Sequence, residues 1–433
     1  LTVVVIGGGF SGLLTALHLL ESDADLMVRL VERAERFGPG RAYSAANPDH
    51  LLNVRAANMS AFPDRPDHFL SWLRAHDLGG DEFVSRGCYG DYLQALLREA
   101  LGPDGHPGRL LLEQDEAIDV RVAGRGLEVH LAVGRQIEAD AVVFATGLSP
   151  PPTPPGAAGL GHAYVADPWR LEPDDAPTGD VLLIGSGLTM VDVALSLDRP
   201  DRRLTAISRR GLMPLEHGPA PPAPLPAGAL DTPRAASRAL RIHAKGVGWR
   251  SAVDSIRPLT PAIWGSWRRA ERDRFLRHAR PWWDIHRHRM APRVAARIQD
   301  MVAAGRLQVI AGRILAMAGQ PAGVEVTYRR RAAPPETHAF AAAVNCAGLS
   351  GDIAQAPLYR ALIARRAARP DVHGLGLDVD AYMRVLGSDG PPVKGLYAVG
   401  PLVRGARWES VAVPDLRHLT WELARRIAGD LAR

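Results

Sequence analysis

Residues 3–12 read Val-Val-Val-Ile-Gly-Gly-Gly-Phe-Ser-Gly, an apolar run that feeds into Gly7-x-Gly9-x-x-Gly12. A second apolar run, residues 26–31, ends on Glu32. Together they predict a strand, a glycine turn, a helix and a second strand. In such a unit the glycines let backbone approach a pyrophosphate, the helix N-terminus after Gly9 faces those phosphates, and a carboxylate ending the second strand accepts hydrogen bonds from ribose hydroxyls. Gly7, Gly9, Phe10, Ser11 and Gly12 are therefore candidate dinucleotide contacts, with Glu32 and its neighbour Arg33 at the ribose. A carboxylate at that point favours an adenosine without a 2′-phosphate. The alternative is a plain tight turn between strand and helix.

Residues 181–187, Val-Leu-Leu-Ile-Gly-Ser-Gly, open a second unit of the same kind, marking Gly185, Ser186, Gly187, Leu188 and Thr189 as contacts. Its third glycine is replaced by Met190, so its helix should sit slightly farther from its strand. The next strand, 204–207, ends on Ser208-Arg209-Arg210 with no acid. Guanidinium groups there suit a 2′-phosphate, which points to NADPH rather than NADH. The competing reading of Arg209 and Arg210 is a pair of solvated residues at a strand end. Asp192 reads as a polar contact on the side of the second helix rather than as an acid catalyst.

A chain of 433 residues, 46% hydrophobic and 23% charged, suits a globular protein of two or three domains. The net charge of +5 is mild, and the basic residues are almost all arginine, which reads as a compositional habit rather than a nucleic-acid surface. Only Cys88 and Cys346 occur, with no C-x-x-C, which excludes a disulfide-exchanging reductase and a cysteine-bound zinc. Residue 1 leads directly into the first strand and no apolar stretch reaches about 18 residues, so a cytoplasmic protein without signal peptide or membrane span is expected.

Residues 140–147, ending in Thr146-Gly147, form an apolar strand and small-residue turn that backs the first socket. Five prolines within 150–155 mark a domain crossing. Helical patterning fills roughly 228–305, strands return at 307–310 and 324–328, and the strand-plus-turn pattern recurs at 341–348 and 395–400 before a terminal helix over 414–431. The expected fold is α/β, with two dinucleotide-binding, Rossmann-like domains. A first domain of 1–150 and 341–433 is interrupted by a second of 151–340, which carries the helical insertion.

Several further runs resemble the bacterial FAD/NAD(P)-binding family that includes FAD-dependent urate hydroxylases and nitrosuccinate-forming aspartate N-monooxygenases. They are Gly40-Arg41-Ala42-Tyr43-Ser44, Leu52-Asn53-Val54 with Asn58-Met59-Ser60, Arg86 to Leu93, Gly185 to Asp192 with Ser208 to Leu212, Arg280 to Pro292, and Gly400-Pro401-Leu402 with Trp408-Glu409-Ser410. The resemblance spans nearly the whole chain. It implies FAD as cofactor, NAD(P)H as reductant and oxygen insertion into a small nitrogen-containing substrate.

On that basis Arg41, Tyr43, Asn53, Asn58, Met59 and Ser60 are expected near the isoalloxazine, with Asn53 and Ser60 at its O4/N5 edge or, alternatively, capping local turns. Gly400, Pro401, Glu409 and Ser410 are expected where the last helix aims its N-terminus at the N1/O2 edge, with Arg404 and Arg407 reinforcing it or holding an anionic substrate, the alternative being a surface salt-bridge cluster. Asn53, Ser60, Arg404 and Glu409 are the candidate catalytic groups. His286 and His288, which would share one face of a strand, are flanked by arginines and read as part of a packed polar seam with Arg280, Trp283 and Asp284, or as a share in closing over nicotinamide or substrate, not as metal ligands. The expected activity is that of an NADPH-dependent flavin monooxygenase: hydride to N5, O2 addition at C4a, and oxygen transfer from the hydroperoxide to a small substrate. A non-oxygenating reductase or oxidase and a flavin-binding sensor are the rivals. Oligomeric state is left open, and neither nucleic acid nor membrane is an expected partner.

Overall fold

The structure, a computed structural model, describes residues 1–433 apart from Ala24, Ala46, Arg125, Pro173, Ala227 and Ala229. The chain forms two compact units, one of 1–48, 54–149 and 350–433, the other of 49–53 and 150–349.

The first unit is built on a six-stranded sheet in the order Arg384–Leu386, Pro392–Ala398, Ala141–Phe144, Thr2–Ile6, Met27–Glu32, Leu110–Gln114. All pairings are parallel except that of the edge strand Arg384–Leu386. Val5 lies between Leu30 and Val143, so the strand that carries the first glycine motif is central. A parallel sheet is covered on both faces, which is why these strands read as unbroken apolar runs rather than alternating ones. The helix Phe10–Ser22 is buried from Phe10 to Leu20 and packs against the terminal helix Val413–Leu431. A three-stranded antiparallel sheet, Ala117–Ala123, Gly126–Leu131 and Gln136–Ala139, completes the unit.

The second unit has a seven-stranded sheet in the order Pro335–Phe340, Gly323–Arg330, Leu307–Gln320, Arg202–Ser208, Gly179–Ile184, Ala342–Asn345, Tyr164–Val165. Here one expectation is corrected. Residues 341–348 were expected to reopen the first domain, but Ala342–Asn345 pairs in parallel with Gly179–Ile184. This strand closes the second unit just as Ala141–Phe144 closes the first. The two stretches have the same apolar and small-residue pattern, which fixes a buried parallel strand but not the sheet that receives it. The first unit resumes at residue 350, and residues 49–53, expected in the first domain, group with the second.

Helices fill Pro233–Val247 through Pro292–Ala303, as the patterning predicts. Trp264 and Trp267 are buried there against Phe275, with Arg272 over the Trp264 ring. Among the described residues no helix is long and apolar enough to cross a membrane.

Candidate functional site

The first glycine turn is shaped by contacts that exclude side chains. Gly7 has a φ of +105°, and a β-carbon on it would meet the Ala145 carbonyl oxygen at 2.6 Å. One on Gly12 would stand 1.7 Å from the Gly7 carbonyl oxygen, so helix and strand touch through bare backbone. Glu32 reaches back into this turn, its Oε2 accepting the Gly8 N–H at 2.8 Å and its Oε1 the Ala34 N–H at 3.0 Å. Each carboxylate oxygen keeps a second lone pair for a ribose hydroxyl. Arg33, its neighbour, is exposed and points to Glu116 at 3.6 Å.

The loop after Glu32 folds over the same turn. The Gly38 N–H donates to the Gly8 carbonyl at 2.7 Å, and a β-carbon on Gly40 would lie 2.9 Å from the Gly9 Cα. Gly38 and Gly8 were missed as site residues; the Phe37-Gly38-Pro39-Gly40 run was the available signal. Phe10 and Tyr43 are brought together edge to face with centroids 6.1 Å apart, and Tyr89 stands 4.7 Å from Tyr43. Burial pushes the Tyr43 phenol up to about 12, with Arg86 pulling the other way.

Two further stretches meet this turn. A β-carbon on Gly400, whose φ is +83°, would lie 2.7 Å from the Ser11 Oγ, so the third small-residue turn closes onto the first helix. Thr146 and Tyr359 share a hydrogen bond of 2.5 Å beside Gly147, which has a φ of +71°. Glu409 is 3% exposed and holds a φ of +73°, a left-handed backbone that costs a non-glycine residue roughly 1 kcal/mol or more. Pro401 is the second residue of the short helical turn Gly400–Val403. The Arg404 guanidinium lies 4.4 Å over the Trp408 ring, and Arg407 donates to the Ala381 carbonyl at 2.6 Å. The hydroxyls of Ser410 and Tyr89 are buried without a hydrogen-bond partner among the described residues.

Ser60 does not offer its hydroxyl outward. Its Oγ donates to the Arg65 carbonyl at 2.6 Å and accepts the Phe62 N–H at 3.2 Å, and the residue is fully buried, which supports the turn-capping reading. Met59 is buried beside it, and Arg41 is exposed. Asn53 belongs to the other compact unit, where its carbonyl accepts from His217 Nε2 at 3.0 Å.

In the second unit Gly185 has a φ of +120°, and a β-carbon on it would meet the Cys346 carbonyl oxygen at 2.6 Å, the counterpart of Gly7 against Ala145. Gly187 by contrast has open space around it, and the helix Leu188–Leu197 starts from it with Thr189 half-buried. Met190 is fully buried, so the third position of this motif is filled by a side chain packed in the core, as its looser spacing requires. The hydroxyls of Ser186 and Ser208 are 2.7 Å apart, and Ser186 also donates to the Leu212 carbonyl while Ser208 accepts the Gly211 N–H. These serines hold the turn that presents Arg209 and Arg210, both exposed. Asp192 is buried within its helix, and its carbonyl accepts from His50 Nε2 at 2.9 Å.

His286 and His288 do not share a strand face. His286 lies in the helix Arg280–Arg287, its Nδ1 bonded to the Trp282 carbonyl, and His288 ends that helix. The seam here does contain Arg280 with Asp284, but the buried guanidinium is that of Arg289, paired with the half-exposed Asp254 at 2.6 and 3.2 Å, which sequence reasoning missed. Among the described residues no group of three His, Cys, Asp or Glu side chains could hold a metal ion. Burial pushes the thiols of Cys88 and Cys346 up, with Asp91 and Asp192 adding to it, so neither is poised as a thiolate. A cavity of about 330 Å³ lined by His18, Glu21, Trp421 and Arg425 lies toward the C-terminal ends of the first and last helices, removed from the glycine turn.

The first turn fits a dinucleotide on its own geometry: bare backbone at Gly7 and Gly12, a carboxylate at Glu32, a closing turn at Gly400 and buried hydroxyls at Tyr89 and Ser410. The second offers the same backbone with cations in place of the acid. Comparison with curated protein sequences finds no match. Among solved structures, the ornithine N-hydroxylase of Kutzneria sp. 744 superposes with a TM-score of 0.70 at 19% identity, covering 99% of this chain and 98% of that one. L-lysine 6-monooxygenase from Pseudomonas syringae gives 0.69 at 17%, covering 99% of each chain. The bacillithiol disulfide reductase of Bacillus cereus gives 0.60 at 14%, covering 99% of this chain and 98% of that one. These likenesses show the fold. A family model described as FAD-NAD(P)-binding matches residues 4–149, the stretch that carries the first glycine turn.

Proposed function

We propose that the protein is an NADPH-dependent FAD monooxygenase that places one oxygen atom of O2 on a small nitrogen-containing substrate. The observation that carries this reading is the contrast between two glycine turns on one chain, the first ending on Glu32 and the second on Arg209 and Arg210. A carboxylate repels a 2′-phosphate and a guanidinium attracts one, so the first turn suits FAD and the second NADPH. Two similar structures support the substrate class: one is an ornithine N-hydroxylase with reduced FAD, NADP+ and L-ornithine, the other an L-lysine 6-monooxygenase. The reductase in the same fold acts on a disulfide, for which this chain has no cysteine pair.

The chemistry supplied by bound FAD is acceptance of hydride from NADPH and activation of dioxygen. The residues of this chain bind and orient. Gly9 would admit the pyrophosphate to the backbone, with Gly7 and Gly12 making the tight turn and Gly400 closing on it; Glu32 would hold the adenosine ribose, and the buried hydroxyl of Ser410, just ahead of the terminal helix, would donate toward the flavin ring. Glu409 is fixed beside it by its left-handed backbone, and Arg404 supplies positive charge for an anionic flavin or substrate. Ser60 is a turn cap in this reading, and Asn53 keeps only its side chain for a ligand. A cytoplasmic location and a soluble small-molecule substrate complete the proposal.

The test is NADPH oxidation by the flavin-loaded protein across a panel of small amino acids and purine-like heterocycles, scored for hydroxylated nitrogen as well as for hydrogen peroxide. A substrate that raises NADPH oxidation and appears in hydroxylated form is expected. NADPH oxidation yielding only peroxide under every condition would instead make the protein an oxidase.

A further inference from the structure

Arg209 and Arg210 are adjacent and both exposed, yet they are not equivalent. Arg209 makes no hydrogen bond or ion pair among the described residues, whereas the Arg210 guanidinium donates to the backbone carbonyl of Arg277 at 3.1 Å. That carbonyl is a special one. In an α-helix it would accept the N–H of residue 281, which is Pro281 and has none. Residues Phe275–Ala279 form a π-turn here, in which the Arg280 N–H bonds back to the Phe275 carbonyl five residues earlier, and the Arg277 carbonyl is left to the Arg210 guanidinium. Such turns recur at functional sites, where the inserted residue re-aims side chains. The side chains so placed are Arg277 and His278, both exposed and neither in an ion pair among the described residues.

We propose that the 2′-phosphate of NADPH is held by Arg209 together with Arg277 from the π-turn, and that Arg210 is a strut that sets their spacing. The inference rests on the NADPH reading above and refines it. The Ser208 hydroxyl accepts the Gly211 N–H and donates to Ser186, whose own proton goes to the Leu212 carbonyl, so the serine is a turn-former and the phosphate needs cations from elsewhere. Arg210 spends one end of its fork on a neutral carbonyl, which ties the strand-end turn to the helical insertion. The insertion is itself strongly cationic: residues 228–305 hold sixteen arginine or lysine residues against six carboxylates, in a chain whose total charge is only +5. A field of that sign concentrates a phosphate-bearing ligand near the turn that Arg277 crowns.

The experiment measures binding of 2′,5′-ADP and 5′-AMP to the purified flavin-loaded protein by calorimetry, beside kcat/KM for NADPH and NADH. Arg209→Gln and Arg277→Gln should each weaken 2′,5′-ADP by about tenfold or more while leaving 5′-AMP unchanged, the loss expected for one charged hydrogen bond. Arg210→Gln should weaken 2′,5′-ADP in the natural background but cost nothing further in an Arg277→Gln background, because its effect runs through Arg277. An Arg277→Gln protein that keeps its discrimination, or an Arg210→Gln loss of the same size in both backgrounds, overturns the division of labour and leaves the NADPH reading intact. Equal binding of 2′,5′-ADP and 5′-AMP by the unaltered protein overturns the NADPH reading itself.

Discussion

Gly12 stands so close to the carbonyl of Gly7 that a β-carbon on it would lie 1.7 Å from that oxygen. The equivalent position of the second motif, Met190, carries a whole side chain into the core. The two nucleotide turns therefore differ in tightness as well as in charge, and this governs how each tolerates change.

Gly12→Ala should destabilise the first unit by ~3 kcal/mol or more, because the obstacle is backbone that no rotamer can clear. Gly187→Ala, where the added carbon meets nothing, should cost at most about 1 kcal/mol as an N-cap change and should instead weaken NADPH binding by crowding the phosphates. Urea unfolding and nucleotide titration on both variants check the contrast. Equal destabilisation by the two would contradict it.

Glu32→Ala should lower retention of FAD by about tenfold, since it removes both the acceptor of the Gly8 N–H and the ribose contact. Glu32→Gln, which keeps one acceptor oxygen, should fall between. The flavin-to-protein ratio after dialysis is the measurement.

Asp254→Ala should cost about 2 kcal/mol of stability. It strands the Arg289 guanidinium, whose side chain is 2% exposed, but Asp254 itself is 41% exposed and solvent offsets part of the loss usual for an enclosed pair. Denaturant midpoints read the effect, with the stacked Trp249 as a local fluorescence reporter.

These two residues also show where the sequence stops being legible. The glycine turns could be read because a close backbone approach leaves a local signature: Gly7, Gly9 and Gly12 within six residues, then Glu32 at the end of the next strand. Arg289 and Asp254 are 35 residues apart, and nothing local couples them. Ser60 and Ser186 read as ligand contacts, yet Ser60 bonds to the Arg65 carbonyl and the Phe62 N–H, and Ser186 to the Leu212 carbonyl and the Ser208 hydroxyl, partners brought into place only once the chain has folded. Residues 342–345 were read correctly as a buried strand and assigned to the wrong sheet, because periodicity reports burial and not the neighbour.

His68 predicts a pH dependence. Burial, with help from Arg65, holds its imidazole below the ordinary value, with Nδ1 2.8 Å from the Tyr92 hydroxyl. The unfolded chain therefore takes up the proton first. The neutral imidazole's contribution is complete above pH ~6.5 and is lost as pH falls through the lower folded value. The melting temperature should decline on acidification below that point, and His68→Gln should flatten the decline. An unchanged slope in that variant would assign the effect to other groups.

The central claim, that electrons pass from NADPH through FAD to dioxygen and that one oxygen atom reaches the substrate, is tested most directly by isotope. The flavin-loaded protein would be reduced by NADPH without air, then mixed with labelled dioxygen and a substrate found in the oxidation screen, and the product analysed by mass spectrometry. One labelled oxygen atom should appear in the product. Labelled oxygen recovered entirely as peroxide or water, with the substrate unchanged, would contradict it.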